Sequence, residues 1–466
     1  MSEILEQEEL RNVYDHLQDL LDEQEYEKLV QELAEMESVE VAEFLEEQDV
    51  EDAFLVLNRF ESEKKSYIFA NFEHAKQRKI AEYFSPRELA DLLTNMSSDD
   101  RADLFQNLSV DRQDKVLPYL NKSERDDIIS LSSYPKQTAG AAMSSDFATI
   151  SLNMTVEAAM AQIRRDSPSK ETIYYVYVVD DERHLIGIVS LRKLIMAQPK
   201  ETIANIVKKD VIYVNVEEDQ ETAIQQVEKY DLIALPVVNN DKKLVGIITH
   251  DDALDIMRQE QTEDVQKMAG MESLDEPYTS ISYINMIKKR AGWLVILFLG
   301  ETLTAVAMGY YEGAIAKAAV LALFIPLIIS SGGNSGSQAS TLIIRAMGLG
   351  EISITDWWCI VGKEIIIGLS LGVILGIIGF LRIAGWGMFS DQYGPHYLLI
   401  AVSVGFSLIG VVMWGTLTGS LLPIVLKRLG FDPAVSSAPF VATLVDVTGL
   451  VIYFTVATIF LRGILL

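Results

Sequence analysis

An acidic residue lies in the middle of an apolar stretch near the C-terminus. Residues 439–460 read PFVATLVDVTGLVIYFTVATIF, long enough to cross a bilayer, with Asp446 near the centre. A charge there costs about 3 kcal/mol on insertion scales, so Asp446 needs a basic partner, donors such as Thr443 or Thr448, a proton or a cation. The apolar stretches hold no Lys or Arg near their centres. We therefore predict that Asp446 binds a cation.

Other oxygen ligands lie in or beside the same C-terminal stretches. Glu301 and Glu364 fall within apolar segments, and Asp432 in FDPA comes just before the last of them. Oxygen ligands without a cluster of His or Cys favour a hard ion such as Mg²⁺ or Ca²⁺. Because Mg²⁺ keeps several of its waters, one Asp per chain is enough if two chains pair.

The segment PLIISSGGNSGSQASTLIIRA, residues 326–346, combines glycines with polar residues at membrane depth. Gly332, Gly333 and Gly336 predict a break in the helix, and non-helical backbone survives there only inside protein or beside a watery cavity. Asn334 and Gln338, four residues apart, place amide oxygens on one face. We expect this segment to border an ion pathway. The alternative is a tight helix contact through glycine.

Five apolar stretches are long enough to span a membrane. They cover residues 291–311, 318–344, 360–384, 397–426 and 435–461. Basic residues concentrate before the first stretch and between the fourth and fifth, at 288–290 and 427–428. By the positive-inside rule, the N-terminal part is cytoplasmic and the C-terminus lies outside. The start MSEILEQEEL has no basic or apolar signal region, so we expect no cleaved signal.

The charge is concentrated in the first 290 residues. From Ala291 onward lie eight of the 67 acidic and seven of the 39 basic residues, which leaves 59 acidic and 32 basic residues before it. The resulting net charge of −27 argues against nucleic acid and favours cations or basic partners. The single cysteine, Cys359, excludes a disulfide within the chain and a multi-cysteine metal site.

The N-terminal part divides into two regions with different sequence patterns. Residues 1–135 show three- and four-residue apolar spacing with repeated helix-start signals, which predicts short helices stacked as a solenoid. Residues 136–258 contain a repeat at an offset of 59, in which Gly187 matches Gly246 and Ser190 matches Thr249. Each copy predicts strand, turn, strand and helix, with the glycine where backbone approaches closely.

The repeat resembles a tandem pair of CBS domains, at 143–199 and 204–258. CBS pairs commonly bind adenosine nucleotides, through a Ser or Thr and an Asp three residues later. The second copy offers Thr249 and Asp252, whereas Ser190 of the first is followed by Lys193. The resemblance therefore half supports ATP binding. Residues 259–284 predict a helix that connects the repeat to the membrane domain, 285–466, as a lever or a passive linker.

Over essentially the whole chain, the order of these regions resembles that of the MgtE family of bacterial magnesium channels and transporters. Two membrane motifs carry the resemblance as well, PLIISSGGNSGSQ and DPAVSSAPFVATLVDVTG. The resemblance implies a homodimer in the bacterial inner membrane, with Asp446 of both subunits holding hydrated Mg²⁺. The residues themselves offer Asp432, Asn334 and Glu301 as further pore candidates. The resemblance also implies closure by intracellular Mg²⁺ bound around the connecting "plug" helix. The regulatory ligands it implies are Asp99, Asp103, Asp219, Glu221, Asp231, Asp252, Asp255, Glu260, Glu263 and Asp264.

The sequence thus predicts a polytopic α-helical membrane protein with an all-α N-terminal solenoid domain and an α+β CBS pair. A CBS-bearing anion channel would present basic residues to its ion, but these spans carry carboxylates. A membrane enzyme would need a nucleophile and base or a histidine cluster, and the five histidines are scattered. A transporter of Mn²⁺ or Co²⁺ and a coupled carrier stay open as alternatives.

Overall fold

A computed structural model of the chain describes residues 13–167, 170–274, 278–279 and 281–464. The stretch MSEILEQEEL, for which no signal is expected, lies outside the described residues. The chain divides into two compact units, Met1–Arg258 and Gln259–Leu466. We call them the N-terminal unit and the membrane unit and describe each by itself.

The N-terminal unit begins with a series of short helices, as predicted. Ser85 and Asn121 cap two of them, and each capping side chain accepts a hydrogen bond from the backbone N–H three residues on. Helices two apart in the series pack together, for example Ser38–Glu46 on Ser62–Ala70, so neighbours bury each other's apolar faces as in a solenoid. The helices are Tyr26–Ala34, Ser38–Glu46, Val50–Leu57, Ser62–Ala70, His74–Ala81, Pro86–Thr94, Ser98–Asn107, Val110–Val116 and Lys122–Leu131.

Two three-stranded sheets follow, one for each copy of the repeat. The first contains β1 (Phe147–Ser151), β2 (Thr172–Val179) and β3 (Leu185–Ser190); the second contains β4 (Val214–Asn215), β5 (Ala234–Val238) and β6 (Leu244–Thr249). Each sheet has one parallel and one antiparallel pair. Val178 pairs with Gly187 and Val237 with Gly246, which confirms the repeat residue by residue. The helices are Val156–Asp166, Leu191–Met196, Ile203–Ile206 and Gln220–Lys229.

The two matched glycines allow another chain segment to lie against each sheet. A Cβ on Gly187 would lie 2.7 Å from the Lys208 carbonyl oxygen, and one on Gly246 would lie 2.4 Å from Met143 Sδ. The neighbouring Ile188 exchanges two backbone hydrogen bonds of 2.9 Å with Lys208. The predicted close backbone approach is therefore confirmed.

The connecting helix differs in extent from the predicted 259–284. It begins in the second copy of the repeat and runs from His250 to Met268. Gly270 then adopts a φ of +75°, which suits glycine just beyond a helix end. Residues 275–277 and 280 of the predicted range lie outside the described residues. We call His250–Met268 the plug helix.

Within the described part of the membrane unit, five helices are long and apolar enough to span a bilayer. The fourth packs against the second, third and fifth, and the first packs against the fifth. The buried side chains between them include Val411, Val441, Val445 and Phe454. In order, the spanning helices are Tyr283–Tyr310, Ile325–Gly348, Trp357–Phe389, Tyr397–Arg428 and Ala438–Leu461, with shorter helices at Glu312–Lys317 and Ala319–Phe324.

Candidate cation pathway and regulatory acidic clusters

Asp446 lies half-buried near the middle of the fifth spanning helix. The nearby hydroxyl groups of Thr443 and Thr448 donate to the backbone carbonyls of Pro439 and Leu444, at 3.1 and 2.8 Å. These protons are therefore not directed at Asp446, which removes one of the alternative partners. Its acidic neighbour is Glu301 of the first spanning helix, which lies close enough for the two carboxyl groups to interact. Two carboxyl groups this close need a proton or a cation between them.

The glycine-rich segment is helical throughout, so the predicted break is wrong. Ile325–Gly348 is one continuous helix that includes Gly332, Gly333 and Gly336. The glycines serve a close crossing with the fourth spanning helix. A Cβ on Gly415 would lie 2.3 Å from the Gly332 carbonyl oxygen, and one on Gly419 would lie 2.0 Å from that of Gly336. The alternative of a glycine-mediated helix contact is the one the structure supports.

The polar residues of this helix divide between two faces. Ser335 Oγ lies 2.7 Å from Thr416 Oγ1, and Ser340 Oγ donates to the Ser436 carbonyl at 2.8 Å, so the serines join buried contacts within the unit. Asn334 and Gln338 are exposed, one turn apart. Lipid cannot satisfy exposed amides at membrane depth, so this face requires water or another protein surface.

Asp432 lies just before the fifth spanning helix, where it caps the short helix Pro433–Val435, rather than beside Asp446. Its Oδ1 accepts a hydrogen bond from the Ala434 N–H at 2.8 Å. Its Oδ2 accepts one from Lys267 Nζ at 2.6 Å, and the same amine lies 2.6 Å from Glu263 Oε1. Two of the predicted metal ligands, Asp432 and Glu263, are therefore joined through a lysine.

The segment after the plug helix is seated on the first and fifth spanning helices. A Cβ on Gly270 would lie 2.7 Å from the ring of Trp293 and 3.3 Å from Pro439. Trp293 Nε1 donates to Ser437 Oγ at 3.1 Å, and Ser437 in turn caps the helix that carries Asp446. A displacement of Gly270 would therefore act directly on the start of that helix.

The N-terminal unit brings several predicted regulatory acids together. Asp252, in the first turn of the plug helix, interacts with Asp99, whose Oδ1 is buried and has no hydrogen-bond partner among the residues that the structure describes. Burial, and then the charge of Asp99, raises the pKa of Asp252 to about 7 and that of Glu171 to about 8. Burial and the charge of Asp100 likewise raise the pKa of Asp99. We call Asp99, Asp100, Asp252 and Glu171 the N-terminal acidic cluster; Asp99 and Asp252 are half-buried, and Asp100 and Glu171 are exposed.

Hydroxyl groups connect this cluster across the unit. Thr249 donates a short hydrogen bond to Asp252, and Ser144 Oγ donates to Glu171 Oε2 at 2.8 Å. Ser144 Oγ also lies 2.9 Å from Ser98 Oγ, next to Asp99. Among the described residues, no three His, Cys, Asp or Glu converge tightly enough to ligate one ion directly.

The other predicted regulatory acids lie elsewhere. Burial also raises the pKa of Asp103, which faces His74 and Lys136. Asp219 and Asp231 are exposed, Asp219 caps the helix that begins beside Glu221, and Asp231 has a φ of +48°. Further along, exposed Asp255 pairs with Arg258 at 3.4 Å, Glu260 is half-buried, and Asp264 lies near Asp432.

The predicted nucleotide residues have local structural partners. Ser190 caps the helix Leu191–Met196 by accepting from the Lys193 N–H at 3.3 Å. Thr249, only 3% exposed, is engaged with Asp252. A small cavity lies instead between the two copies of the repeat, lined by Tyr175, Tyr177, Ile188, Lys208, Asp210 and Pro236 among others. No sequence motif pointed to this cavity.

Comparison with known proteins decides the family. A model described as divalent cation transporter, MgtE, matches residues 325–456; the MgtE intracellular N domain matches 36–137, and CBS domains match 139–200 and 203–259. The magnesium transporter MgtE of Thermus thermophilus is 38% identical over 345 residues, 74% of this chain and 75% of the relative. The chain belongs to the MgtE family.

Further MgtE relatives agree with this assignment. The magnesium transporter MgtE of Enterococcus faecalis is 36% identical over 340 residues, 73% of this chain and 72% of the relative. The crystal structure of the cytosolic domain of the Mg²⁺ channel MgtE in complex with ATP superposes with a TM-score of 0.50 at 31% identity, covering 52% of this chain and 99% of that one. The sequence-based recognition of the family, the fold class and the CBS pair is confirmed.

Proposed function

We propose that this protein carries Mg²⁺ across the bacterial plasma membrane, with Asp446 as the principal ligand of the ion in the pathway. The observation that carries the proposal is the half-buried carboxylate of Asp446 at mid-membrane, beside Glu301. The threonines next to Asp446 donate to backbone carbonyls and not to this carboxylate. A carboxylate binds Mg²⁺ well through the ion's own waters. The related magnesium transporters of Thermus thermophilus and Enterococcus faecalis support this substrate.

The working form we propose is a homodimer whose pathway lies between the two copies. The exposed amides of Asn334 and Gln338 support it, because a single chain leaves them facing lipid. Two Asp446 carboxylates, one from each copy, would then bind one hydrated ion. The basic residues at 288–290 and 427–428 favour a cytoplasmic N-terminal unit and an external C-terminus.

We further propose that internal Mg²⁺ closes the pathway. The carboxylates of the N-terminal acidic cluster repel one another when ionised, and a divalent cation would relieve that repulsion. Asp252 stands at the start of the plug helix, and Gly270 just beyond its end contacts Trp293 and Pro439. Ion binding at one end of a continuous helix can therefore alter contacts at the other. The ligand shifts the equilibrium only by its difference in affinity between the two states.

Flux measurements in proteoliposomes test this function. Asp446→Asn keeps the shape of the side chain and removes its charge, so Mg²⁺ flux should be lost or strongly reduced while the protein stays folded. Asp391→Asn, the same change in an exposed turn after the third spanning helix, serves as the control and should leave flux unchanged. Near-normal flux through Asp446→Asn would refute the assignment. A panel of Mg²⁺, Mn²⁺ and Co²⁺, with and without an imposed voltage, separates the ions and distinguishes a channel from a coupled carrier.

We also propose that ATP binds the cavity between the CBS copies. Tyr175, which is partly exposed, offers a ring for stacking an aromatic base, and Lys208 supplies a positive charge for phosphate. The related cytosolic domain of an MgtE channel, solved in complex with ATP, supports this ligand. Tyr175→Ala should weaken ATP binding measured by calorimetry, while Ser190→Ala, which changes only a helix cap, should leave it intact. If Ser190→Ala weakens ATP binding and Tyr175→Ala does not, the nucleotide binds instead at Ser190 and its counterpart Thr249.

A further inference from the structure

Lys267 makes two short ionic contacts at the end of the plug helix. Its Nζ lies 2.6 Å from Glu263 Oε1, one turn earlier, and 2.6 Å from Asp432 Oδ2, just before the fifth spanning helix. The side chains of Lys267, Glu263 and Asp432 are 25%, 16% and 35% exposed, so water screens these contacts only in part. Asp264 lies close enough to Asp432 for their two negative charges to repel each other.

Three carboxylates at one junction require a positive charge. The Lys267 amine supplies it through its two contacts of 2.6 Å, one to Asp432 and one to Glu263. It also lies in the last turn of its helix, where the helix dipole favours a cation.

We propose that Lys267 is a built-in cation that joins the end of the plug helix to the start of the fifth spanning helix, at a junction where the carboxylates alone would need a bound metal ion. This inference rests on the proposed closure by internal Mg²⁺. Lys267 is a positioning residue, because it acts by keeping the plug helix end near the helix that carries Asp446. Glu263 and Asp432 serve as its partners in the closed arrangement rather than as a pair of Mg²⁺ ligands.

The test compares three variants of the full-length protein in proteoliposomes. Lys267→Met removes the charge and keeps much of the side-chain length, whereas Lys267→Arg keeps the charge and reaches the same carboxylates. Lys427→Met removes a lysine from an exposed position at the end of the fourth spanning helix and is the matched control. Mg²⁺ flux is recorded against internal Mg²⁺ concentration for each variant.

Lys267→Met should shift half-inhibition to internal Mg²⁺ concentrations roughly threefold higher or more, because it removes the partly exposed ionic contact between Lys267 and Asp432 that joins the two segments. Lys267→Arg and Lys427→Met should follow the wild type. In an Asp432→Asn background, Lys267→Met should have a smaller effect, which a general loss of stability would not produce.

An unshifted curve for Lys267→Met overturns the inference, and so does a shift to lower Mg²⁺, which would mean that the amine competes with a metal ion at this junction. Failure of the proposed function is a different result. A wild-type protein that internal Mg²⁺ does not inhibit would refute the closure itself, before any variant is considered.

Discussion

The backbones of Gly332 and Gly415 approach so closely that a Cβ on Gly415 would lie 2.3 Å from the Gly332 carbonyl oxygen. Real Cβ atoms essentially never come this near, so the second and fourth spanning helices depend on glycine at this crossing. The same crossing buries Ser335 against Thr416. The region that carries Asn334 is thereby held on a rigid helix pair.

Gly415→Ala should therefore destabilise the membrane unit. The added methyl group forces the helices apart, and overpacking of this kind costs about 1–3 kcal/mol. Thermal unfolding in detergent, followed by tryptophan fluorescence, should show a lower midpoint. Gly362→Ala, in the third spanning helix where a Cβ would meet nothing within 4 Å, should leave the midpoint unchanged. Equal effects of the two changes would contradict the crossing.

Asn334→Leu should impair Mg²⁺ flux with little effect on folding. Asn334 is exposed in the single chain, so its amide is available to the ion's waters or to a second copy. Ser335→Ala is the neighbouring control: it removes a buried hydroxyl contact with Thr416, which should cost about 1 kcal/mol of stability but leave flux unchanged. If flux falls equally in both, the amide has no special part in conduction.

The N-terminal acidic cluster should make the metal-free protein less stable as the pH rises. Glu171 has a pKa of about 8 in the folded protein against an ordinary value of 4.5, so the folded state holds more protons than the unfolded state between these values. Stability must then fall as pH increases from about 4.5 to about 8. Calorimetric unfolding of the N-terminal unit in the full-length protein, at pH 5 and pH 8 with a chelator, measures this.

Added Mg²⁺ should recover the stability lost at pH 8, because an ion that binds the ionised cluster stabilises the folded state. Glu171→Gln should flatten the dependence on pH. A pH dependence that is unchanged in this variant would mean that other groups cause it.

Asp99→Asn combined with Asp252→Asn should weaken inhibition by internal Mg²⁺. Both side chains belong to the N-terminal acidic cluster, and Asp252 lies in the first turn of the plug helix. Flux at high internal Mg²⁺ should stay closer to its uninhibited level than in the wild type. Asp241→Asn, an exposed acid in a turn of the same unit, tests whether overall charge is responsible. Identical inhibition curves in all three proteins would remove the sensor role from the cluster.

The sequence alone determined the features that depend on local composition. Apolar length set the five spans, because a helix must hide its backbone from lipid along the whole crossing. The offset of 59 predicted two equivalent sheets, since Gly187 and Gly246 each face an approaching segment. The cost of a charge in lipid singled out Asp446, whatever its neighbours.

Tertiary structure decided what depends on partners far apart in the chain. Gly332 reads as a helix breaker by itself, but Gly415, 83 residues later, supplies the surface against which a glycine helix packs. Glu263 and Lys267 are an evident pair at four-residue spacing, yet Asp432, 165 residues from Lys267, completes the junction. Glu171 carries no motif, and only folding places it among Asp99 and Asp252. Local pattern sets what a segment can bury, but the atoms that surround it in the folded chain decide what its polar groups meet.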